Sequence, residues 1–310
     1  MAEVVDAFDL TKFMNAQDAE LGRKRVAFID ELRGLCVVLM LVYHCFYMLA
    51  TFFEKSWAVD TVETLAFIKP AVQAVFVILS GISIRLSRDV FRRSLQMMVS
   101  ALLLSLVTLL LLPQIGVMQA GVWFGVLHML AVSAFLFHLF CKGLEKIPPI
   151  LGVPVMLALF ALTSQIPAGK LGFGEFSMDV PASFYETNIL LPFGVHKPDL
   201  WQWDYFPLLP YFFIFLAGTF LGRWIQKGEV PDFCAKPNVV FLGVIGRKAM
   251  IIFLLHVPVF YGLAYLAKLI IANFNSAAGA QNAMITLFFH TYVKICPRAF
   301  LFCNSMLQLP

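Results

Sequence analysis

Residues 30–44 read DELRGLCVVLMLVYH and place an acid, an arginine and a histidine in the first long apolar stretch of the chain. A helix of about 20 mostly apolar residues is long enough to cross the hydrocarbon layer of a membrane. Ionisable side chains inside such a helix are costly, so they usually face the interior of a helix bundle and mark a functional site. Asp30, Arg33 and His44 are therefore the first candidates for catalysis or ligand binding.

The composition indicates a membrane protein. Hydrophobic residues make up 60% of the 310 positions, charged residues make up 14%, and the mean hydropathy is +0.83. A soluble domain could not cover so much apolar surface. The net charge of +4 is too small to indicate binding of nucleic acid. We predict an all-α fold, a polytopic bundle of transmembrane helices.

Seven windows are apolar and long enough to be membrane spans. They cover residues 33–53, 68–86, 95–112, 122–140, 150–166, 207–225 and 249–271. Residues 283–301 are also apolar, but His290, Lys294 and Arg298 interrupt them. This segment is a last span, an interfacial helix or a tail, and the sequence does not choose among the three.

Basic residues collect at alternate ends of the spans and predict the orientation of the chain. They are Arg23, Lys24, Arg25, Arg85, Arg88, Arg92, Arg93, Lys142, Lys146, Arg223, Lys227, Lys236, Arg247 and Lys248. By the positive-inside rule, these ends face the cytoplasm. We predict a cytoplasmic N-terminal arm at residues 1–25, a membrane domain at 26–271 with an outer loop at 167–206, and a C-terminal segment at 272–310. The arm lacks the pattern of a signal peptide, so the first span is expected to stay as an anchor.

Asp30, Arg33 and His44 are expected to project from one side of a single helix. Arg33 and His44 are eleven residues apart, about 16 Å along the axis, so they would serve different parts of a ligand. Asp30 can pair with Arg33, which either contacts a ligand or extends to the membrane interface. His44 is a general base, a covalent acceptor of a transferred group, or a neutral imidazole bonded to a carbonyl.

Three later residues are weaker candidates for the same site. His128 and His256 lie in other spans and could approach His44, with structural hydrogen bonding as the alternative for both. His256 precedes Pro258, and a proline frees a backbone carbonyl within a membrane helix. Asp204 precedes the sixth span, where it either caps the helix or binds an acceptor. The histidines show no local spacing of metal ligands, so we expect no metal site.

Five segments together resemble a known family. The pattern Asp-x-x-Arg-Gly at 30–34, followed by His44, resembles the first span of the transmembrane acyltransferase superfamily. The other segments are FVILSGIS at 76–83, FGVLH at 124–128, DYFPLLPY at 204–211 and LLHVP at 254–258. They resemble, in the same order, bacterial relatives of heparan-alpha-glucosaminide N-acetyltransferase.

This resemblance implies a reaction, and roles for the residues. An acyl group, acetyl by this likeness, would pass from cytoplasmic acyl-coenzyme A to a hydroxyl or amine acceptor, a saccharide, across the bacterial inner membrane. His44 would activate the acceptor, Arg33 would bind the donor, and Asp30 would orient Arg33. The basic residues that could bind coenzyme A phosphates are Arg33, Arg85, Arg88, Arg247 and Lys248. Topology and attraction to anionic lipid are the alternative reason for this basic surface.

The sequence departs from the lysosomal heparan-alpha-glucosaminide N-acetyltransferase at the position of His44. That enzyme has an asparagine where this chain has His44, and its proposed catalytic histidine lies in the loop after the first span. Residues 52–64 contain no histidine here. The arginine and histidine of the first span are therefore the guide to function in this chain.

Two other classes of function stay open at this stage. Arg33 and His44 could form the substrate or proton site of a transporter or permease for a small anionic solute. No inverted repeat is evident in the spacing of the spans, which such a transporter often shows. A non-catalytic membrane scaffold is the third possibility. Lipid is an expected partner, and oligomerisation is left open.

Overall fold

The structure, a computed structural model, describes residues 26–114, 121–198, 200, 204–227, 234 and 238–276. Within these residues, seven helices are long and apolar enough to cross a membrane. This finding confirms the predicted class, an all-α transmembrane bundle. The predicted arm at 1–25 and the segment at 283–301 lie outside the described residues.

Long helices and one short helix make up the described part of the bundle. They are α1 Ala27–Phe53, α2 Ser56–Arg85, α3 Val90–Gln114, α4 Val126–Leu144, α5 Pro149–Thr163, α6 Leu208–Gln226, α7 Val240–Arg247 and α8 Ala249–Ser276. A π-helical turn at Val107–Leu111 interrupts α3. We call the end of the bundle that holds Arg33 and Arg85 the arginine end, and the end that holds Asp204 the loop end.

The connection between α1 and α2 is much shorter than the sequence suggests. The prediction placed a loop at residues 52–64, but only Glu54 and Lys55 separate the two helices. Glu54 adopts the left-handed conformation, with φ of 51°. Hydropathy failed here because it detects the part of a helix that lies in hydrocarbon, and the polar first turns of α2 extend beyond that part.

The α6 helix is the most buried of the seven spans in the described part of the chain, and it packs against α2, α4 and α5. Phe215 and Phe220 of α6 are fully buried. A Cβ atom at Gly81 of α2 would overlap the carbonyl of Phe215, and a Cβ atom at Gly218 of α6 would overlap the carbonyl of Ile78. The two glycines therefore allow the backbones of α2 and α6 to touch.

The short α7 helix was absent from the prediction, and it packs against α1 at the arginine end. Glu31 of α1 is buried, and its carboxylate accepts the backbone N–H groups of Asn238 at 2.6 Å and Val239 at 2.8 Å. These groups stand at the start of α7, where helical N–H groups have no partner within the helix. Glu31 thus caps a helix that is distant in sequence, and α7 leads directly into α8.

The connection between α5 and α6 is folded over its described residues. It contains short 3₁₀ turns and two paired strands, β1 Lys170–Leu171 and β2 Met178–Asp179. The Tyr205 hydroxyl donates to the carbonyl of Leu191 at 2.7 Å. The N–H of Phe206 donates to the carbonyl of Phe124 at 3.2 Å, which brings the end of this connection to the start of α4. Trp201 and Trp203 lie outside the described residues.

Candidate active site

A cavity of about 130 Å³ lies towards the loop end, between α1, α2, α8 and the chain that leads into α6. One water needs roughly a tenth of this space, so the cavity has room for a small substrate group. Its polar lining consists of Tyr43, His44, Lys69, Gln73, Asp204, Tyr205 and His256. The structure therefore brings His44, His256 and Asp204 of the prediction into one cavity.

His44 and His256 are buried and face each other, with ring centroids 5.0 Å apart. The Nδ1 atom of His44 lies 2.8 Å from the carbonyl oxygen of Met40, and that of His256 lies 2.9 Å from the carbonyl oxygen of Phe253. A carbonyl oxygen only accepts hydrogen bonds, so Nδ1 carries the proton in both rings. The lone pair of each neutral imidazole is then on Nε2, the atom that can take a proton.

Asp204 lies at the wall of the cavity beside the start of α4. Its carboxylate accepts the backbone N–H of Val126, whereas α6, which begins after Pro207, has no side-chain cap. Asp204 thus caps α4 and not the sixth span. Burial raises the pKa of Asp204 to about 7, although the Lys69 charge and the Val126 N–H act to lower it. A carboxyl group with this pKa exchanges its proton near neutral pH.

Lys69 supplies the positive charge of the cavity. Its Nζ atom lies 4.9 Å from the centroid of the Tyr43 ring, within the range of a cation–π contact. Lys69 was not among the predicted site residues. A lysine next to Pro70 in an apolar segment could nevertheless have indicated a polar site within the bundle. Gln73, one turn further along α2, was missed because an isolated glutamine in a span carries no such signal.

Arg33 is held at the arginine end by three helices. It donates to the Asp30 carboxylate at 3.0 Å, to the Ser83 hydroxyl of α2, and to the carbonyl of Gly246 of α7 at 3.5 Å. Arg247 lies 3.7 Å from the other oxygen of Asp30. The Arg33 side chain is only 12% exposed, so it does not extend to the interface. Arg33 and Arg247 therefore surround one carboxylate in a compact charged cluster.

The two parts of the site are connected along α1. Cys36, which lines the cavity, is one helical turn from Arg33. The cavity therefore extends from His44 along α1 towards the arginine cluster. Arg33 itself is not among the residues that line the cavity.

Other predicted residues lie apart from this cavity. His128 is at the start of α4, where Nδ1 accepts the N–H of Gly125 at 3.3 Å and Nε2 lies 3.2 Å from the Ser105 hydroxyl. These are structural hydrogen bonds. Arg85 pairs with Glu145 at 3.2 Å at the arginine end, and Arg88 and Lys248 lie in connections at the same end. No group of three metal-ligating side chains occurs in the described part of the chain.

The bundle and its buried histidine pair define a class of membrane protein with a polar cavity between its helices. The family model described as heparan-alpha-glucosaminide N-acetyltransferase, catalytic, matches residues 25–258, and the chain belongs to this family of membrane acetyltransferases. The match covers helices α1 to α7 and the part of α8 that carries His256. No curated protein and no solved structure matches the chain.

Proposed function

We propose that the protein transfers an acetyl group from acetyl-coenzyme A to an amine or hydroxyl group of a saccharide. The observation that carries this proposal is the cavity that contains His44 and His256 and extends along α1 towards Arg33. Donor and acceptor would enter from opposite ends, the donor from the arginine end and the acceptor from the loop end. The family name, which specifies acetyl transfer to a glucosaminide, supports the same reaction class.

His44 acts as the general base in this reaction. The acceptor nitrogen or oxygen attacks the thioester carbonyl, and its proton passes to Nε2 of His44. The bond from the carbonyl carbon to sulfur breaks, a bond to nitrogen or oxygen forms, and the coenzyme A thiolate takes a proton as it leaves. A histidine base contributes about 10²- to 10⁴-fold. His256 faces His44 and is positioned to bind the acceptor or to pass on the proton.

Arg33 binds the phosphates of the donor at the arginine end. Asp30 and Ser83 hold the guanidinium group in place, so it is pre-organised for an anion. Arg247 and Lys248 add positive charge at the same end, and Arg85 and Arg88 extend it at the surface. In this assignment the arginine end faces the cytoplasm of a bacterium, where coenzyme A is present, and the bundle lies in the inner membrane.

The polar groups near the loop end bind the acceptor. Asp204 accepts a hydrogen bond from an amine or hydroxyl group, and Lys69 and Gln73 donate to oxygen atoms of the saccharide. These three residues converge on the cavity from α2 and the chain before α6. Burial of such groups favours a substrate that satisfies their hydrogen bonds over one that does not.

The test is binding and slow hydrolysis of acetyl-coenzyme A by the purified protein in lipid nanodiscs. Arg33→Ala should weaken donor binding by about tenfold or more, because a charge-assisted contact is lost. His44→Ala should keep binding and lose turnover. Arg92→Ala, which removes an exposed arginine from the same end, is the matched control and should behave as the wild type.

A single binding result would contradict the proposal. If the folded wild-type protein binds no acetyl-coenzyme A, the acetyltransferase assignment is wrong. Uptake of a small anion into proteoliposomes, lost in Arg33→Ala, would then identify a transporter. Absence of both activities would identify a scaffold.

A further inference from the structure

Part of the cavity wall, where α1 and α2 meet, is formed by side chains that are also exposed. Leu39, Val42 and Ile68 line the cavity, and they are 39%, 39% and 49% exposed. A residue that both lines a cavity and is exposed marks its boundary with the surroundings. We interpret the boundary that these three side chains form as an opening of the cavity, and we call it the side opening.

The side opening faces lipid. All three residues are apolar and belong to two membrane-spanning helices. Leu35, one turn before Leu39, continues the same exposed apolar stripe on α1. A saccharide would lose its hydrogen bonds with water along such a path, which makes the path unfavourable for a polar substrate. An alkyl chain passes there at no such cost.

Apolar side chains line the side opening, and polar side chains lie in the cavity behind it. Lys69 follows Ile68 directly, and the cavity behind it holds His44 and Asp204. A ligand that extends from the cavity into the bilayer would therefore place a polar head beside Lys69 and Asp204, and a hydrocarbon chain between Leu39, Val42 and Ile68. This order matches an amphiphile with its head inside the protein.

We infer that the acceptor is a lipid-anchored saccharide, whose alkyl or polyprenyl chain stays in the bilayer and passes through the side opening. The inference rests on the proposed function, and it names the substrate class of that site. The saccharide head occupies the cavity near the loop end, beside His44, and the anchor remains among the lipids. The acyl chain of a long-chain donor is the competing occupant, and the experiment separates the two.

The experiment compares two acceptors in nanodiscs with radiolabelled acetyl-coenzyme A. Free glucosamine and dodecyl glucosaminide carry the same amine, and only the second has an alkyl chain. We expect kcat/KM to be at least about tenfold higher for the dodecyl compound. Leu39→Trp should lower it about tenfold, the size expected when a bulky side chain fills an occupied space. Leu35→Trp is the matched control, because Leu35 is 40% exposed on the same helix but does not line the cavity.

A second measurement does not require turnover. A dodecyl glucosaminide with a diazirine in its chain should label peptides that contain Leu39 and Ile68, and unlabelled dodecyl glucosaminide should compete. Equal use of both acceptors, or labelling elsewhere, would overturn the inference. A loss of palmitoyl-coenzyme A hydrolysis in Leu39→Trp, with dodecyl glucosaminide use unchanged, would assign the side opening to the donor and also overturn it. Hydrolysis of acetyl-coenzyme A, which needs no acceptor, reports separately on the proposed function.

Discussion

The ring orientations of His44 and His256 depend on nearby residues of their own helices, whereas the distance between the two rings depends on how the helices pack. Each ring is oriented by a carbonyl of its own helix, three or four residues earlier. The sequence could therefore predict that His44 lies in a span and that its ring is bonded locally. It could not predict the 5.0 Å approach of the two rings, which depends on how α8 packs against α1.

Asp204 and Lys69 give a prediction about pH. Because burial raises the pKa of Asp204 to about 7, the carboxyl group is half protonated near neutral pH. Lys69 acts to lower this pKa, so Lys69→Met should raise it further. The infrared band of the protonated Asp204 carboxyl group can be identified because it disappears in Asp204→Asn. This band should titrate near pH 7 in the wild type and at higher pH in Lys69→Met. An unchanged midpoint would show that Lys69 does not act on Asp204.

The same shift has a consequence for stability. Between the ordinary value of 3.8 and about 7, the folded protein holds the Asp204 proton more tightly than the unfolded chain. The free energy of unfolding should therefore decrease as pH rises through this window. The Tm of the wild type should fall relative to that of Asp204→Asn over this range. Parallel Tm curves would contradict the assignment.

At the scale of the helices, the sequence predicted the seven spans, but it missed the short α7 helix and the polar first turns of α2. The spans were evident because an apolar window of that length is typical of a membrane helix and rare in a soluble fold. The α7 helix has eight residues, and two of them are glycine, so its pattern was too short to detect. Its position follows from contacts with α1, where Gly34 and Gly246 allow the backbones to meet. The polar start of α2 was missed because hydropathy does not detect helix outside hydrocarbon.

The contact between α2 and α6 gives a prediction at this scale. Gly218→Ala places a methyl group against the carbonyl of Ile78, so the two backbones must separate. Overpacking of this kind costs about 1–3 kcal/mol, and the Tm in detergent should fall. Gly262→Ala is the matched control, because no atom lies within 4 Å of the added carbon on α8. That variant should keep or slightly raise the Tm, since alanine favours helix more than glycine. Equal effects of both would contradict the packing role of Gly218.

At the scale of the whole molecule, the arginine cluster and the histidine pair are joined by one continuous helix. Asp30, Arg33, Cys36 and His44 all belong to α1, which also contacts α2, α7 and α8. The sequence predicted that Arg33 and His44 lie at different levels of one helix, and both belong to α1. It could not predict the partners, because Ser83 and Gly246 are distant in sequence and gave no signal of their own. The side opening was equally hidden, since exposure depends on the gap between two helices.

Glu31 gives a prediction about the attachment of α7. Glu31→Ala removes the acceptor for the amides of Asn238 and Val239, so these amides should exchange hydrogen faster. Glu31→Gln keeps an oxygen acceptor and should exchange more slowly than Glu31→Ala. Hydrogen exchange measured by mass spectrometry on peptides that cover 238–247 checks this result. Unchanged exchange in Glu31→Ala would show that α7 is held by other contacts.

The cap made by Glu31 also bears on how the protein is assembled in the membrane. Translation produces α1 first, yet the partners of Glu31 are 207 and 208 residues further along the chain. During synthesis, Glu31 cannot make these two hydrogen bonds until the start of α7 has been made, after six of the seven spans. The first of the seven helices to be made is thus among the last to complete its contacts.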